Sequence, residues 1–487
     1  MKRREFLKSI SSTAMITATL SLNGCFKIKR KPNVLLIVTD DQGYADIGCS
    51  GLTDDVSTPN IDALAKNGTR FTNAYATSPI CSPSRIGIMT GTYNQRFGTY
   101  WYGGNGIHNN EYKTIAEILK QNEYSTGYVG KVHYGSNDSN INDRNFPNNH
   151  GFDYYYGHTS PRKHYLSHNA AKEEEFQRVK KESGKWGQSL RQEPMWHNKN
   201  KEDVEGFTTE MFAEKACDFI FRNKENPFYL HLSFNAVHNF THQLPQDYLE
   251  KHNLQGYHDW DPASEDYYEW YQKGRYPNNP EGRQQYLGQL YYLDKAIGKV
   301  INHLKKCDVF DNTLIFFISD NGGSTPIYAN NFPLRGSKYT LYEGGIRVPM
   351  IIAWDKKYKK NQVCDNIISG MDILPTICTA CGLQIPHNID GIDISDLLLG
   401  KNNSLEHDVL FWDTGSQIAV RNGKWKLRIA TEKKSQDYEM VELELGEYLY
   451  DLEKDISEKV NLTIEFPEVV GRLKKLHNEW KNSVNIE

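Results

Sequence analysis

The 487-residue sequence contains no apolar run of the roughly 20 residues that a membrane-spanning helix needs. It also has no basic excess, because 57 Lys and Arg stand against 61 Asp and Glu and give a net charge of -4. Nucleic-acid binding needs clustered positive charge, so this balance argues against a nucleic-acid partner. No internal repeat and no low-complexity segment is visible. The length is sufficient for a large core and a second, smaller unit.

Closely spaced cysteines are scarce, since only Cys378 and Cys381 among the eight cysteines form a near pair. No second pair of Cys or His residues follows at the spacing of a zinc site. Residues 373–383 read as a helix that ends at Gly382, which is a common helix-terminating residue. We therefore interpret the two cysteines as packing residues on one helix.

The first 24 residues are predicted to be an export signal and are excluded from the fold. A basic start with the pair Arg3-Arg4 precedes a weakly apolar run, which resembles a twin-arginine signal. The run ends at Gly24-Cys25, similar to a bacterial lipoprotein cleavage site, so Cys25 is a candidate for lipidation. A plain signal peptide cut nearby is the alternative. Either reading predicts an exported bacterial protein in the periplasm or lipid-anchored to a membrane.

Short apolar runs that alternate with helical patterns predict an α/β fold. The predicted buried strands are residues 34–38, 126–129, 228–234, 313–318 and 349–354. The predicted helices between them are residues 61–66, 114–121, 286–305 and 371–381. We expect a large, mainly parallel mixed sheet sandwiched by helices. Near the end, strand patterns at 417–420, 424–429 and 447–450 and a helix at 465–481 predict a small antiparallel sheet with one helix.

These patterns divide the chain into three predicted parts. Residues 1–24 form the signal, residues 32–400 a catalytic domain, and residues 405–487 a C-terminal subdomain. Two long polar insertions, at about 161–205 and 243–283, are rich in Tyr, Trp and His. Loops of that length in a compact domain are usually functional or disordered.

Acidic and amide side chains follow two of the predicted strands directly. Asp40 and Asp41 come after residues 34–39, and Asp320 and Asn321 come after residues 314–319. Open α/β sheets build their sites at the carboxyl ends of strands. Four oxygen donors suit calcium or magnesium better than zinc. Either pair alone could also cap the next helix.

Basic and imidazole side chains follow the other strands. Lys131 and His133 come after residues 126–129, His238 follows residues 228–234, and Lys338 lies in a later loop. Any one of these is a common surface or structural residue. Together with a metal at the same sheet edge, they suit hydrolysis of an anionic ester.

The segment Cys81-x-Pro83-x-Arg85 resembles the signature of the type I sulfatases of the alkaline phosphatase superfamily, here of the polysaccharide-utilisation type. In that family the cysteine is oxidised to 3-oxoalanine, called formylglycine, by a maturation enzyme. A hydrated aldehyde offers one hydroxyl to the metal and one to attack sulfur, whereas a soft thiolate matches a hard oxygen site poorly. Further blocks similar to the family lie at residues 33–41, 46–51, 58–65, 68–75, 130–133, 319–323, 334–338, 390–393 and 450–452.

The resemblance implies a metal site and a set of roles for this chain. The metal, calcium with magnesium as the alternative, is expected to be held by Asp40, Asp41, Asp320, Asn321 and an oxygen of modified Cys81.

The remaining motif residues are expected to act on the ester. Arg85 is expected to lie against the formylglycine and help hold its charged form, while Lys131 and Lys338 hold the sulfate oxygens. His133 is expected to take the formylglycine hydroxyl proton when sulfate is released. His238 is expected to protonate the leaving alcohol.

One position departs from the family pattern, since Val237 stands where proline often precedes the histidine. Two other functions are weighed against the sulfatase prediction. One is a related phosphoester or phosphonate hydrolase with a different nucleophile or a second metal. The other is a non-catalytic, glycan-binding lipoprotein that keeps the fold.

The expected substrate is a sulfated carbohydrate, such as an oligosaccharide derived from the algal polysaccharides ulvan or carrageenan. The two insertions supply aromatic and basic side chains that could contact sugar rings, carboxylates or further sulfates. Packing residues of two long loops are the alternative reading. The candidates are Arg162, His164, His168, His197, Trp260, Tyr267, Trp270, Arg275 and Tyr276.

Overall fold

The structure, a computed structural model, describes residues 30–135, 139–159, 165–167, 195–261, 264–401, 407–432, 441 and 443–484. Residues Pro32–Glu487 belong to one compact unit. The predicted export signal and Cys25 lie outside the described residues, as do Arg162, His164 and His168. The boundary near residue 400 between two domains stays a prediction.

The strands of the described chain are numbered β1 to β18 in chain order. They are β1 Asn33–Thr39, β2 Gly68–Phe71, β3 Ala74–Tyr75, β4 Ser125–Lys131, β5 Tyr154–His158, β6 Leu166–Ser167, β7 Met195–His197, β8 Asn200–Glu202, β9 Gly206–Phe207, β10 Phe228–Ser233, β11 Thr313–Ser319, β12 Met350–Ala353, β13 Gln362–Cys364, β14 Ile368–Ser369, β15 Val409–Asp413, β16 Gln417–Asn422, β17 Trp425–Ala430 and β18 Gly446–Asp451.

The α-helices are numbered in the same way. They are α1 Pro59–Lys66, α2 Cys81–Thr90, α3 Ile115–Gln121, α4 Thr208–Asn223, α5 Gln246–Lys251, α6 Tyr267–Lys273, α7 Gly282–Lys306, α8 Glu343–Ile346, α9 Ile373–Cys381, α10 Ser395–Leu398 and α11 Pro467–Val484.

One large sheet organises the catalytic part of the described chain. Its strand order is β13-β2-β12-β11-β1-β10-β4-β5-β7-β8. The central strands β11, β1, β10, β4 and β5 run parallel, while β12 runs antiparallel to β11 and β2. The prediction of a mixed, mainly parallel sheet is confirmed, and each predicted strand and helix falls on an observed one. The patterns did not predict α4, and they did not predict strands β2, β5, β7, β8 and β13 of this sheet.

Helices cover both faces of this sheet. Side chains of β1 alternate between two apolar cores, with Leu35 and Ile37 in one and Leu36 and Val38 in the other. Helices α1, α4 and α7 pack in the first core, and α2, α3 and α9 pack in the second. Because both faces of the strand are buried, its sequence is continuously apolar rather than alternating.

A second sheet lies near the C-terminus. It is antiparallel, with the order β15-β16-β17-β18, and α11 packs on it through residues such as Val470 and Leu473. This confirms the predicted small sheet and helix. Among the described residues, no helix combines the length and the apolar character that a membrane crossing requires.

The expectation that residues 243–283 form one long loop is wrong. This stretch contains α5 and α6, and its tryptophans Trp260 and Trp270 are buried in the core that also holds α7. Burial of these two indole rings removes enough apolar area from water to order the segment.

Helix α1 depends on a residue from another helix for its first hydrogen bonds. The side chain of its N-cap residue Thr58 accepts no backbone N–H of the helix. Instead, the buried carboxylate of Asp294 on α7 accepts from the backbone N–H of Asn60 at 3.0 Å and of Ile61 at 2.9 Å. The Asn60 side chain donates to the same carboxylate at 2.7 Å.

We expect Asp294→Ala to lower the free energy of unfolding by about 2 kcal/mol, because buried N–H groups lose their acceptor. Asp294→Asn keeps one acceptor oxygen and should be less destabilising. Thermal unfolding of the two variants beside the parent measures the effect. Identical melting temperatures for all three proteins would contradict it.

Candidate active site

The carboxyl ends of four adjacent parallel strands meet at one edge of the large sheet. Thr39 at the end of β1 pairs with Ser319 at the end of β11, which brings Asp40 and Asp320 side by side. The backbone N–H of Asp320 donates to the Thr39 carbonyl at 3.0 Å. Strands β10 and β4 are the next neighbours, and β4 ends at Lys131. Ligand sites of open parallel sheets lie at this edge.

Cys81 is the first residue of α2 and is buried at this edge. Its Sγ lies 3.3 Å from Asp40 Oδ1 and 3.6 Å from Asp41 Oδ1, and Lys338 Nζ lies 3.1 Å from the sulfur. Burial, followed by the charge of Asp320, raises the pKa of Cys81 well above its usual value. The unmodified side chain is therefore a protonated thiol and a poor nucleophile.

Arg85 lies one helical turn after Cys81 and ties α2 to three strands. Its Nε and Nη2 lie 2.9 and 2.8 Å from Asp320 Oδ2. Its Nη1 donates to Ser233 Oγ at 2.6 Å and to the Lys131 carbonyl at 3.1 Å. This set of bonds holds the start of α2, and with it Cys81, against the ends of β11, β10 and β4.

Two buried lysines neutralise the paired aspartates. Lys131 Nζ lies 2.5 Å from Asp40 Oδ2, and Lys338 Nζ lies 2.8 Å from Asp41 Oδ2. Buried charges persist only where opposite charges and hydrogen bonds compensate them. The two ammonium groups also present positive charge where an anionic group could bind.

The surroundings shift the pKa values of Asp40 and Asp320 in opposite directions. Burial raises the pKa of Asp40 to about 7, although Lys131 opposes that shift. Burial acts in the same direction on Asp320, but Arg85 and Lys131 outweigh it and hold the pKa of Asp320 below its usual value. Asp320 is therefore the more firmly ionised of the two.

The donor atoms at this edge fit a divalent metal ion. Ligand atoms of Asp40, Asp41, Cys81 and His238 lie within 4.8 Å of one another. The side-chain oxygen of Asn321 is buried and has no hydrogen-bond partner among the described residues, while its amide donates to Asp41 Oδ1 at 2.8 Å. A buried amide oxygen beside carboxylates is a donor that a hard cation would satisfy.

The geometric cluster and the predicted ligand set overlap without being identical. Asp40, Asp41 and Cys81 belong to both, whereas the cluster adds His238. Asp320, which the sequence proposes as a ligand, accepts Arg85 on Oδ2, and its Oδ1 accepts the Asp41 backbone N–H at 3.2 Å.

His133 lies two residues beyond the end of β4 in a left-handed backbone conformation, with φ 55°. Burial, followed by the charges of Lys131 and Arg85, lowers the pKa of His133 well below its usual value. Its Nδ1 is buried and makes no hydrogen bond within the described part of the chain. A neutral imidazole with a ring nitrogen in this position can accept a proton.

His238 reaches the site from the loop after β10. Its Nε2 lies 3.5 Å from Asp41 Oδ2. The loop is clamped to Asp40, whose N–H donates to the Ala236 carbonyl at 2.9 Å and whose carbonyl accepts the Val237 N–H at 2.8 Å. A proline at position 237 could not donate this second bond. The departure from the family pattern is thus accommodated by an added backbone hydrogen bond.

Two supporting residues were missed by the sequence analysis. Ser233 ends β10 and orients Arg85, and its position at a strand end is a signal that could have identified it. The Tyr165 hydroxyl donates to the carbonyls of Asn235 at 3.0 Å and His238 at 3.2 Å. Tyr165 lies in the insertion at 161–205, where no periodic pattern distinguishes it from its neighbours.

Four of the nine candidate sugar-contacting residues make other contacts in the structure. His197 Nδ1 lies 2.8 Å from Glu202 Oε1, and Trp260 and Trp270 are core residues. Arg275 is buried, bonds to Asn239 and lies 4.1 Å from the Tyr271 ring centroid.

Two candidates remain. Tyr276 is 60% exposed. The side chain of Tyr267 lies outside the described atoms, although its backbone begins α6.

Comparisons with known proteins match this arrangement. The sulfatase family model matches residues 32–383, and a model described as N-sulphoglucosamine sulphohydrolase, C-terminal, matches residues 337–483. An N-acetylgalactosamine-6-O-sulfatase of Bacteroides thetaiotaomicron is 30% identical, over 92% of each chain. Human arylsulfatase A is 27% identical and covers 94% of this chain and 89% of its own.

Among solved structures, that of Ps i-CgsB has a TM-score of 0.75 and 29% identity over 93% of both chains. The same protein in complex with k-i-k-neocarrahexaose gives a TM-score of 0.74. The family model spans well over half of the sequence, and the aligned relatives extend over nearly all of it. This chain therefore belongs to the sulfatase family and is a sulfatase.

Proposed function

We propose that this sulfatase removes sulfate from a sulfated carbohydrate, using formylglycine formed at Cys81 and one calcium ion, with magnesium as the alternative. The main observation behind the proposal is a buried cluster of opposite charges around Cys81. Arg85, Lys131 and Lys338 converge there with the carboxylates of the two strand ends. A sulfate ester is an anion whose hydrolysis needs that surrounding positive charge.

The state of Cys81 supports its conversion. As a buried thiol with a raised pKa, it lacks the thiolate that nucleophilic catalysis by cysteine requires. Formylglycine, once hydrated, supplies a hydroxyl nucleophile, and a bound metal supplies polarisation of sulfate oxygens. Asp40, Asp41, Asp320 and Asn321 are the residues we assign to the metal, together with the side chain at position 81. The conversion needs a maturation enzyme as a transient partner.

The cations of the site hold the anionic ester and orient it. Lys131 lies beside Asp40, whereas Lys338 lies beside Asp41 and Cys81. Arg85 fixes the start of α2, so the reactive side chain and the cations keep their relative positions. Such preorganised charges need no rearrangement as negative charge develops on the leaving group.

The two histidines handle different protons. His133 is neutral and can take a proton from the hydroxyl of residue 81 when sulfate is released. His238 lies in the loop after β10 beside Asp41, and it is assigned to protonate the departing alcohol. A sugar alcohol is a poor leaving group, so it depends strongly on that proton.

The relatives support a carbohydrate substrate. One is named as an N-acetylgalactosamine-6-O-sulfatase, and the structure of another contains k-i-k-neocarrahexaose. A galactose-series sulfated oligosaccharide, such as a carrageenan fragment, is the substrate class we favour over ulvan. A two-metal phosphoesterase would need a second ligand cluster, whereas the described residues form a single one.

We also propose that the protein is exported and acts in the periplasm or from a lipid anchor on Cys25. Support comes from the sequence alone, through Arg3-Arg4 and the cleavage-site pattern before Cys25. Sulfated polysaccharide fragments are encountered outside the cytoplasm, which is consistent with this location.

We expect mass spectrometry of the active protein to find formylglycine at position 81. Cys81→Ser, made in a host that does not modify serine, should fold normally and lose more than about 10³-fold in kcat. Cys307→Ser is the matched control, since this thiol lies at the end of α7, away from the site. A fully active enzyme with an unmodified thiol at position 81 would refute the mechanism.

We expect purified protein to contain stoichiometric calcium, because the assigned ligands are oxygens. Chelation should abolish activity and lower the melting temperature, and added calcium should restore both. Asp41→Ala should lose the calcium-dependent rise in melting temperature. Asp55→Ala, which removes a half-exposed carboxylate paired with Arg283, should keep it. Stoichiometric zinc in active protein would contradict the assignment.

We expect His238→Ala to lose about 10²–10⁴-fold in kcat on a sugar sulfate and far less on a nitrophenyl sulfate, whose leaving group needs no proton. His133→Ala should impair both substrates, since release from residue 81 is common to them. His252→Ala, which removes an exposed imidazole, serves as the control. Steady-state kinetics on both esters measures the difference.

Equal losses for both histidine variants on both esters would contradict their separate roles. If the parent hydrolyses the aryl ester and releases no sulfate from any sulfated saccharide, the carbohydrate proposal is wrong and the sulfatase activity stands.

A further inference from the structure

A row of three aromatic rings lies next to the cationic pocket. Tyr339 follows Lys338 directly, and Lys338 Nζ lies 5.4 Å from the centroid of its ring. The Trp101 ring lies 6.0 Å from the Tyr339 ring at an interplanar angle of 32°, and the Tyr102 ring lies 5.8 Å from Trp101. We call Tyr339, Trp101 and Tyr102 the aromatic shelf. It begins at the residue after Lys338, whose Nζ lies 3.1 Å from Cys81 Sγ.

Two loops carry the shelf, and each of them contacts a segment next to the active site. The Tyr339 N–H donates to the carbonyl of Pro79, two residues before Cys81, at 2.9 Å. On the other side, Gly104 packs so closely on Gly135 that a Cβ at Gly135 would collide with the Gly104 carbonyl oxygen. Gly135 lies two residues after His133. The loop after Thr99 therefore contacts the Lys338 loop through Trp101 and the His133 loop through Gly104.

The shelf is held rigidly while part of its surface remains accessible. Trp101 packs against an apolar cluster that includes Ala430 and Tyr450 of the C-terminal sheet. Tyr102 is 46% exposed, and Trp101 and Tyr339 are partly exposed. Accessible aromatic rings that neighbour a cationic site offer apolar area on which a ligand can pack.

From this placement we infer that the aromatic shelf is a binding subsite for pyranose rings of a sulfated oligosaccharide. The inference rests on the proposed function and specifies how the sugar is held. The cations of the pocket match the sulfate group, and the uncharged rings match the C–H face of the sugars bonded to it. The ring-to-ring distances along the row are 6.0 and 5.8 Å. The row is therefore longer than an aryl ester with a single ring. The shelf thus favours a substrate of more than one sugar.

Tyr102→Ala is the variant that tests the shelf, since an exposed side chain can be removed without disturbing the core. Binding is measured in the Cys81→Ala background with two probes, a sulfated neocarrahexaose and a hexasaccharide that carries N-acetylgalactosamine 6-sulfate. Tyr102→Ala should raise the Kd for whichever hexasaccharide the parent binds at least about fivefold. Tyr102→Phe should retain most of the affinity. In the formylglycine-containing enzyme, its KM for nitrophenyl sulfate should stay within about twofold of the parent value.

Phe221→Ala is the matched control. Phe221 is 57% exposed on α4, which leads into the first residue of β10 and so lies at the opposite edge of the sheet. Its removal should leave hexasaccharide binding unchanged. Trp101→Ala adds a second test of the row if it folds, and the Tyr102 result is decisive without it.

The outcomes separate the shelf from the proposed function. If the parent desulfates a hexasaccharide and Tyr102→Ala binds it as tightly as Phe221→Ala does, the shelf inference is wrong. It is also wrong if the parent binds neither hexasaccharide, or if Tyr102→Ala impairs the aryl ester as much as the sugar. If binding depends on Tyr102 and no sulfate is released from either hexasaccharide, the shelf stands and the proposed carbohydrate sulfatase activity fails.

Discussion

The structure depends on the compensation of buried charge at the carboxyl edge of the large sheet. Asp40, Asp41 and Asp320 are removed from water almost completely, and burial alone raises the pKa of Asp40 and of Asp320. Arg85, Lys131 and Lys338 compensate the three carboxyl groups by direct contact. Loss of one cation would leave a buried carboxylate uncompensated, which is far more costly than loss of a surface pair. The same six charged side chains form the site that suits an anionic ester. Stable folding and function therefore require the same arrangement of charges.

The C-terminal sheet contributes to this site from a distance. Lys426 on β17 is fully buried and lies 2.9 Å from carboxylate oxygens of both Glu343 and Glu458. Glu458 also accepts the backbone N–H of Glu343 at 2.6 Å. Glu343 begins α8, five residues after Lys338, so this ion cluster braces the loop that carries the catalytic cation. The same sheet supports Trp101 of the aromatic shelf, and the small subdomain thus positions two parts of the pocket rim.

Much of this arrangement was predictable because it follows local rules. Continuous apolar runs predicted the buried parallel strands, and residues just after them predicted which side chains would share one edge. Asp40, Asp320 and Lys131 needed only that rule. The same rule placed His133 and His238 at that edge, whereas their separate roles were expected only through the family resemblance. The pairing of Arg85 with Asp320 was not expected, because the resemblance placed Arg85 against the formylglycine.

By itself, the sequence determined the fold class, the strands and the chemical types that meet at the sheet edge, because apolar periodicity and strand ends are local properties. Tertiary structure decided which charges pair, since the partners of Arg85 and Lys338 lie 235 and 297 residues away along the chain. It also decided that Trp260 and Trp270 are core residues, whereas Tyr102 remains 46% exposed beside Trp101. The same type of aromatic residue occurs in both places. Only the packing around it determines whether its area is buried by the protein or left for a ligand.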